Sequence, residues 1–138
     1  GPKKPANMPE LISCVLQFNT DAGPLADANV ELFAVPLNPA DRWMYKGVTD
    51  QEGKATIKTM GDFAGVPSGK YTVVVSKVNV ETTQLDKGRV HNKTISMIDK
   101  KYSAKETTTL TIEVQNQPIE QTFDLGKYQE VLLEEYTI

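Results

Sequence analysis

Residues 45–60 read Tyr45-Lys-Gly-Val-Thr-Asp-Gln-Glu-Gly-Lys-Ala-Thr-Ile-Lys-Thr-Met60. They hold a strand, a turn and a second strand in one stretch. Asp50 can accept hydrogen bonds from the backbone just beyond it, Gln51 and Glu52 suit right-handed dihedrals, and Gly53 suits a positive φ, which predicts a hairpin turn over 50–53. After it, Ala55, Ile57 and Thr59 alternate with Lys54, Thr56 and Lys58, so one face of this strand enters a core and the other meets water. The turn also has two possible registers. A plain two-residue loop pairs Val48 with Ala55 and turns Trp43 to solvent. A bulge at Gly53 pairs Thr49 with Ala55 and puts Trp43 and Tyr45 inside; a glycine at this position favours the bulge.

Working outward, the same period of two recurs. Ile12, Cys14, Leu16 and Phe18 share one face of a strand over 11–18, and Val30, Leu32 and Ala34 share one face over 29–35, which Pro36 ends for want of an N–H. Tyr71, Val73 and Val75 point inward over 70–78, Leu110, Ile112 and Val114 over 108–114, and Ile119, Phe123 and Leu125 over 119–125. Seven short antiparallel strands predict an all-β, Greek-key β-sandwich. Residues 1–10, rich in proline and lysine, read as a linker behind a Gly1-Pro2 protease scar; 11–125 form the sandwich and 126–138 a tail. Between the fifth and sixth strands, 79–107 is too long to lack structure. There Ile95, Ile98 and Tyr102 have the spacing of a helical turn or two. In the tail, Tyr128, Val131, Leu132 and Tyr136 form a stripe that suits a short helix, although an edge strand fits the same residues.

With 138 residues, 39% of them apolar, the chain has enough material to bury one core. A net charge of −3 with interleaved signs argues against nucleic acid or an anionic membrane as partner, and no apolar run is long enough to span a bilayer. Cys14 is the sole cysteine, which excludes an internal disulfide; sharing a face with Ile12, Leu16 and Phe18, it reads as a core atom. The Leu-Ile-Ser-Cys run has the form of a lipidation box but lacks the apolar stretch such a box follows.

Three motifs, Gly23-Pro-Leu-Ala-Asp-Ala-Asn-Val30, Gly47-Val-Thr-Asp-Gln-Glu-Gly53 and Val66-Pro-Ser-Gly-Lys-Tyr-Thr-Val73, resemble the carboxypeptidase regulatory-like, transthyretin-like (prealbumin) β-sandwich domains. The stretch Lys101 to Ile112 resembles the segment before the penultimate strand in bacterial, extracytoplasmic versions. The resemblance implies an extracytoplasmic location at the cell surface or in the periplasm, to which a leader with a lipid anchor would be suited. It implies no catalytic activity and no cofactor. The related hydroxyisourate hydrolases need several histidines and a C-terminal Tyr-Arg-Gly-Ser, where this chain has His91 alone and ends Tyr136-Thr-Ile. Related adhesin repeats join a first-strand Lys to a last-strand Asn, and neither residue is present in those strands here.

Other chemistry is sparse. His91, without a second histidine or a nearby cysteine, reads as an exposed loop residue rather than a metal or nucleophile partner. Asp50, Glu52 and Asp62 lack the spacing of a calcium loop. One surface stands out. Pairing of the third and fourth strands gathers Arg42, Trp43, Asp62 and Phe63 at one end, an aromatic platform flanked by charge that could stack a sugar ring. The expected function is therefore a non-enzymatic structural or adhesive module, with a cell-surface protein or polysaccharide as partner, and carbohydrate binding around Trp43 and Phe63 as the alternative.

Overall fold

The computed structural model describes residues 1–37 and 42–138, and the protein is all-β. Among the described residues the strands are β1 (Cys14–Thr20), β2 (Gly23–Pro24), β3 (Asn29–Val35), β4 (Tyr45–Val48), β5 (Lys54–Thr56), β6 (Lys58–Thr59) and β7 (Phe63–Ala64). They continue with β8 (Gly69–Ser76), β9 (Val78–Gln84), β10 (Val90–Ser96), β11 (Thr111–Val114), β12 (Ile119–Asp124) and β13 (Val131–Thr137). One sheet runs β12-β1-β2 with β5 also on β1, a second runs β11-β8-β3-β4-β6-β7, and a third runs β13-β10-β9.

The first two sheets face each other across the core. From β1 come Cys14, Leu16 and Phe18, met by Val30 and Leu32 of β3, Tyr45 of β4, Tyr71, Val73 and Val75 of β8, and Ile112 and Val114 of β11. Burial alternates along β1 and along β8, as the period of two requires. Leu16, Phe18, Val73 and Val75 have no exposed surface, so each contributes about 1.5–3 kcal/mol of hydrophobic stabilisation. The Phe18 and Phe123 rings stack at 5.5 Å between centroids, joining β1 to β12 on the core's flank.

One pair departs from the antiparallel expectation. β1 and β12 run parallel, from Cys14 opposite Ile119 to Asn19 opposite Asp124. Alternation along a strand shows which residues face inward but carries no mark of the neighbour's direction, so the residues could not announce this.

The central turn forms as its chemistry predicts. Asp50 Oδ1 accepts from the N–H groups of Glu52 and Lys54, and Gly53 takes φ +77° while donating to Asp50 O. Tyr45 stands opposite Thr59 and Lys46 opposite Lys58, the offset that a bulge at Gly53 sets. The second arm is not one strand, however. Lys54–Thr56 pairs with β1, Ile57 N–H donates to Cys14 O, and the chain then crosses to pair Lys58–Thr59 with β4. Gly47 permits this close crossing: a Cβ there would lie 2.8 Å from the Thr56 carbonyl oxygen.

The region 79–107 differs most from expectation. Val78–Gln84 and Val90–Ser96 form a hairpin closed by a 3-10 turn at Asp86–Gly88. Ile95, Ile98 and Tyr102 are all buried, yet only Tyr102 is helical, in the single 3-10 turn Lys100–Ser103. Their three-and-four spacing comes from a strand end, a bend and that turn in succession. The tail takes the strand alternative: β13 pairs with β10 from His91 opposite Thr137 to Ser96 opposite Val131, with a register shift at Thr94/Ile95. A helix this short is marginal alone, whereas β10 offers a ladder of backbone partners. His91 accordingly sits in a strand rather than a loop.

Candidate functional site

Where β3 ends, β4 begins and β8 begins, the sandwich opens into a cavity of about 740 Å³. The strand order β8-β3-β4 brings Tyr71 and Tyr45 together beneath β3, their rings meeting edge to face at 5.4 Å between centroids and 82° between planes. Both are buried, and the Tyr71 hydroxyl donates to Pro67 O at 2.6 Å, which ties the loop before β8 to the cavity floor. Trp43, two residues before Tyr45 and on the same face of the chain, is half-buried against the core and forms a wall. Exposed Arg42 and Lys70 stand at the rim, and Asn7, Pro9 and Ser68 are also among the lining residues.

Of the four residues expected to gather, Arg42 and Trp43 meet here. They also line a smaller concavity of about 340 Å³ with Phe33 and Lys105, whose Nζ lies 5.3 Å from the Phe33 ring centroid. Asp62 and Phe63 are not among the lining residues of either. Met60 N–H donates to Met44 O, so the two strand ends do meet, but the chain then doubles back and places Phe63 in β7, opposite Thr59. Tyr71 and Lys70 were legible as strand residues; their place in the cavity depends on β8 lying next to β3, which no local pattern encodes.

The cavity offers an indole wall, a tyrosine floor, and guanidinium, ammonium and hydroxyl donors. Among the described residues its lining has no carboxylate, imidazole or thiol to serve as base or nucleophile. The sole cysteine and the sole histidine are both engaged elsewhere. Cys14 is buried in the core, where burial pushes its thiol up to about 12, so almost no thiolate exists at neutral pH. His91 Nε2 lies 3.0 Å from Glu135 and Nδ1 lies 2.9 Å from Thr137 on the third sheet. No group of three His, Cys, Asp or Glu side chains among the described residues is placed to hold a metal ion.

No family model and no curated protein matches the sequence. Among solved structures, a 9R-lipoxygenase from Cyanothece PCC8801 aligns with 91% of this chain and 18% of its own, at 15% identity and a TM-score of 0.33. So loose a likeness carries no argument about fold or activity.

Proposed function

We propose that the chain is a non-enzymatic structural or adhesive module of an extracytoplasmic bacterial protein, with a cell-surface protein or polysaccharide as its partner. Its sandwich core is a seven-stranded Greek key of the transthyretin-like kind, and the three motifs that carry the resemblance lead into β3, the Asp50 turn and β8. The observation that carries the reading is the parallel β1–β12 ladder. In this arrangement tension entering before β1 and leaving after β12 pulls the two strands along their length. Their hydrogen bonds are then loaded together rather than one at a time, as suits a module held under load.

Single-molecule pulling from the two chain ends tests this. β13 should peel from β10 at low force, followed by one abrupt high-force event as β1 and β12 shear apart. Complete unravelling at low force would overturn the load-bearing role. Location is tested separately, by protease treatment of intact producing cells, which should remove the protein; full protection in the cytosolic fraction would refute it.

A second reading, binding of a sugar ring, is favoured by the half-exposed Trp43 in the wall of the Arg42–Lys70 cavity. Sugar rings stack on indole faces, and cationic rim groups donate to hydroxyl or carboxylate oxygens. On a glycan array, signals lost in Trp43→Ala and Lys70→Ala but retained in Phe63→Ala would support it. An empty array would remove it.

A further inference from the structure

Trp43 borders two concavities rather than one. The larger, of about 740 Å³, lies on the side of Tyr45 and Tyr71; the smaller, of about 340 Å³, lies on the side of Glu31 and Phe33. Side chains alternate along β3 and β4, so these are opposite faces of the second sheet. Strand pairing explains how one indole reaches both. The β3–β4 ladder stops at Leu32 opposite Tyr45, while β3 runs on beside β8 as far as Val35 opposite Lys70. Residues 42–44 lie outside that ladder, and at the fork so made Ala34, Arg42, Trp43 and Tyr45 line both concavities.

The charge around this fork is nearly all of one sign. Arg42 belongs to both concavities, Lys70 to the larger and Lys105 to the smaller, and all three side chains are exposed. The ion pairs among the described residues, Lys54 with Glu52 and His91 with Glu135, involve none of them. Lys105 holds its Nζ 5.3 Å from the Phe33 ring centroid, so a ring rather than an acid positions it. Lys70 has Glu113 opposite it on β11, outside both linings. Glu31 is the one carboxylate among the described lining residues; it is half-buried and stands opposite Lys46 of β4.

We propose that the ligand of this site is an acidic polysaccharide of carboxylated sugars, held by an internal segment that crosses Trp43 with one ring in each concavity. The proposal rests on the sugar-binding reading and narrows it. Cations on both sides of one indole match a chain that carries charge on successive rings, whereas a neutral glycan would gain nothing from their charge. Arg42, shared by the two concavities, presents a planar fork that takes a carboxylate through two parallel hydrogen bonds; the lysines serve the flanking rings as point charges. A single sugar acid carries one carboxylate and so can answer only one of these cations. The indole face also favours a sugar over an acidic peptide, whose carboxylates come with no ring to stack.

An array of neutral, carboxylated and sulfated oligosaccharides is the first test. Carboxylated chains of two or more rings should bind, and their methyl esters, which keep the rings and lose the charge, about tenfold more weakly or worse. Neutral or sulfated glycans bound as well as carboxylated ones would overturn the acidic-sugar assignment while leaving sugar binding in place. An empty array would remove both. Titration of the strongest ligand should weaken about fivefold in Lys70→Gln and in Lys105→Gln, and stay unchanged in Lys58→Gln, whose lysine lines neither concavity. A loss in only one of the first two variants, or equal losses in all three, overturns the crossing of Trp43. So does a monomeric uronic acid that binds as tightly as its tetramer. Poly-glutamate binding as tightly as the tetramer would replace the sugar with an acidic peptide.

Discussion

Replacing Gly53 by alanine adds a single methyl group at a position closed to it in two ways. The residue sits at φ +77°, where an L side chain costs about 1–2 kcal/mol. A Cβ built there would also lie 2.5 Å from Phe18 O and 3.2 Å from Leu25 N. Those atoms cannot move freely: Phe18 O accepts from Leu25 N–H at 2.9 Å, and Phe18 N–H donates to Gly53 O at 2.8 Å. Phe18 itself has no exposed surface. Moving apart far enough to admit the methyl group loses one of these buried bonds, about 1–3 kcal/mol. The total is about 2–5 kcal/mol, or roughly 10 °C in melting temperature for a chain of this size. Gly61 supplies the control, since it has the same φ of +77° but nothing within 4 Å of a built Cβ. Gly61→Ala should therefore cost only the dihedral strain of about 1–2 kcal/mol. Denaturant unfolding of both variants decides the matter: if they agree within about 0.5 kcal/mol, the close approach of the turn to β1 is wrong.

Cys14→Ala should abolish a pH dependence that the native chain shows. Burial pushes the thiol from its ordinary value of 9.0 up to about 12, so its contribution is complete below pH 9 and is lost as pH rises toward 12, at about 1.4 kcal/mol per unit. Unfolding free energies of the two proteins at pH 8.5 and 10.5 measure this, and parallel losses would refute it. Rapid labelling of the folded protein by a thiol reagent at pH 8 would contradict the burial of Cys14. Trp43→Ala should destabilise by about 2–3 kcal/mol, short of the 3–5 of a fully buried aromatic, because the residue is only partly buried where it packs against the core. Its emission should be intermediate in wavelength and partly quenched by iodide; full quenching would place it outside the core. Asp50→Ala removes acceptors from two turn N–H groups and should cost about 1 kcal/mol, read by thermal unfolding, and no change would show that water replaces the carboxylate.

The local chemistry of this protein is legible residue by residue. Alternation names the inward side chains of β1, β3 and β8, because side-chain direction along a strand is a property of the backbone itself. Asp50 and Gly53 specify their turn for the same reason, since an Asx bond and a positive φ require nothing beyond a few neighbouring residues. The turn's bulge then sets Tyr45 opposite Thr59, so even a register was within reach.

The partnerships were not. That β12 lies parallel to β1, that Lys54–Thr56 leaves β4 for the other sheet, and that Tyr71 closes the floor under Tyr45 are all choices among distant strands of similar pattern. The same holds for the third sheet. Ile95, Ile98 and Tyr102 read as a helix because spacing of three and four is also what a strand end, a bend and a 3-10 turn produce. Tyr128 to Tyr136 could join either structure until β10 supplied a ladder. A short segment's own preferences amount to a few tenths of a kcal/mol per residue, and the backbone bonds and burial offered by a neighbour exceed them. Sequence by itself therefore determined which side chains turn inward and where the chain turns; tertiary structure decided which strands meet, and with them the Trp43 cavity and the third sheet.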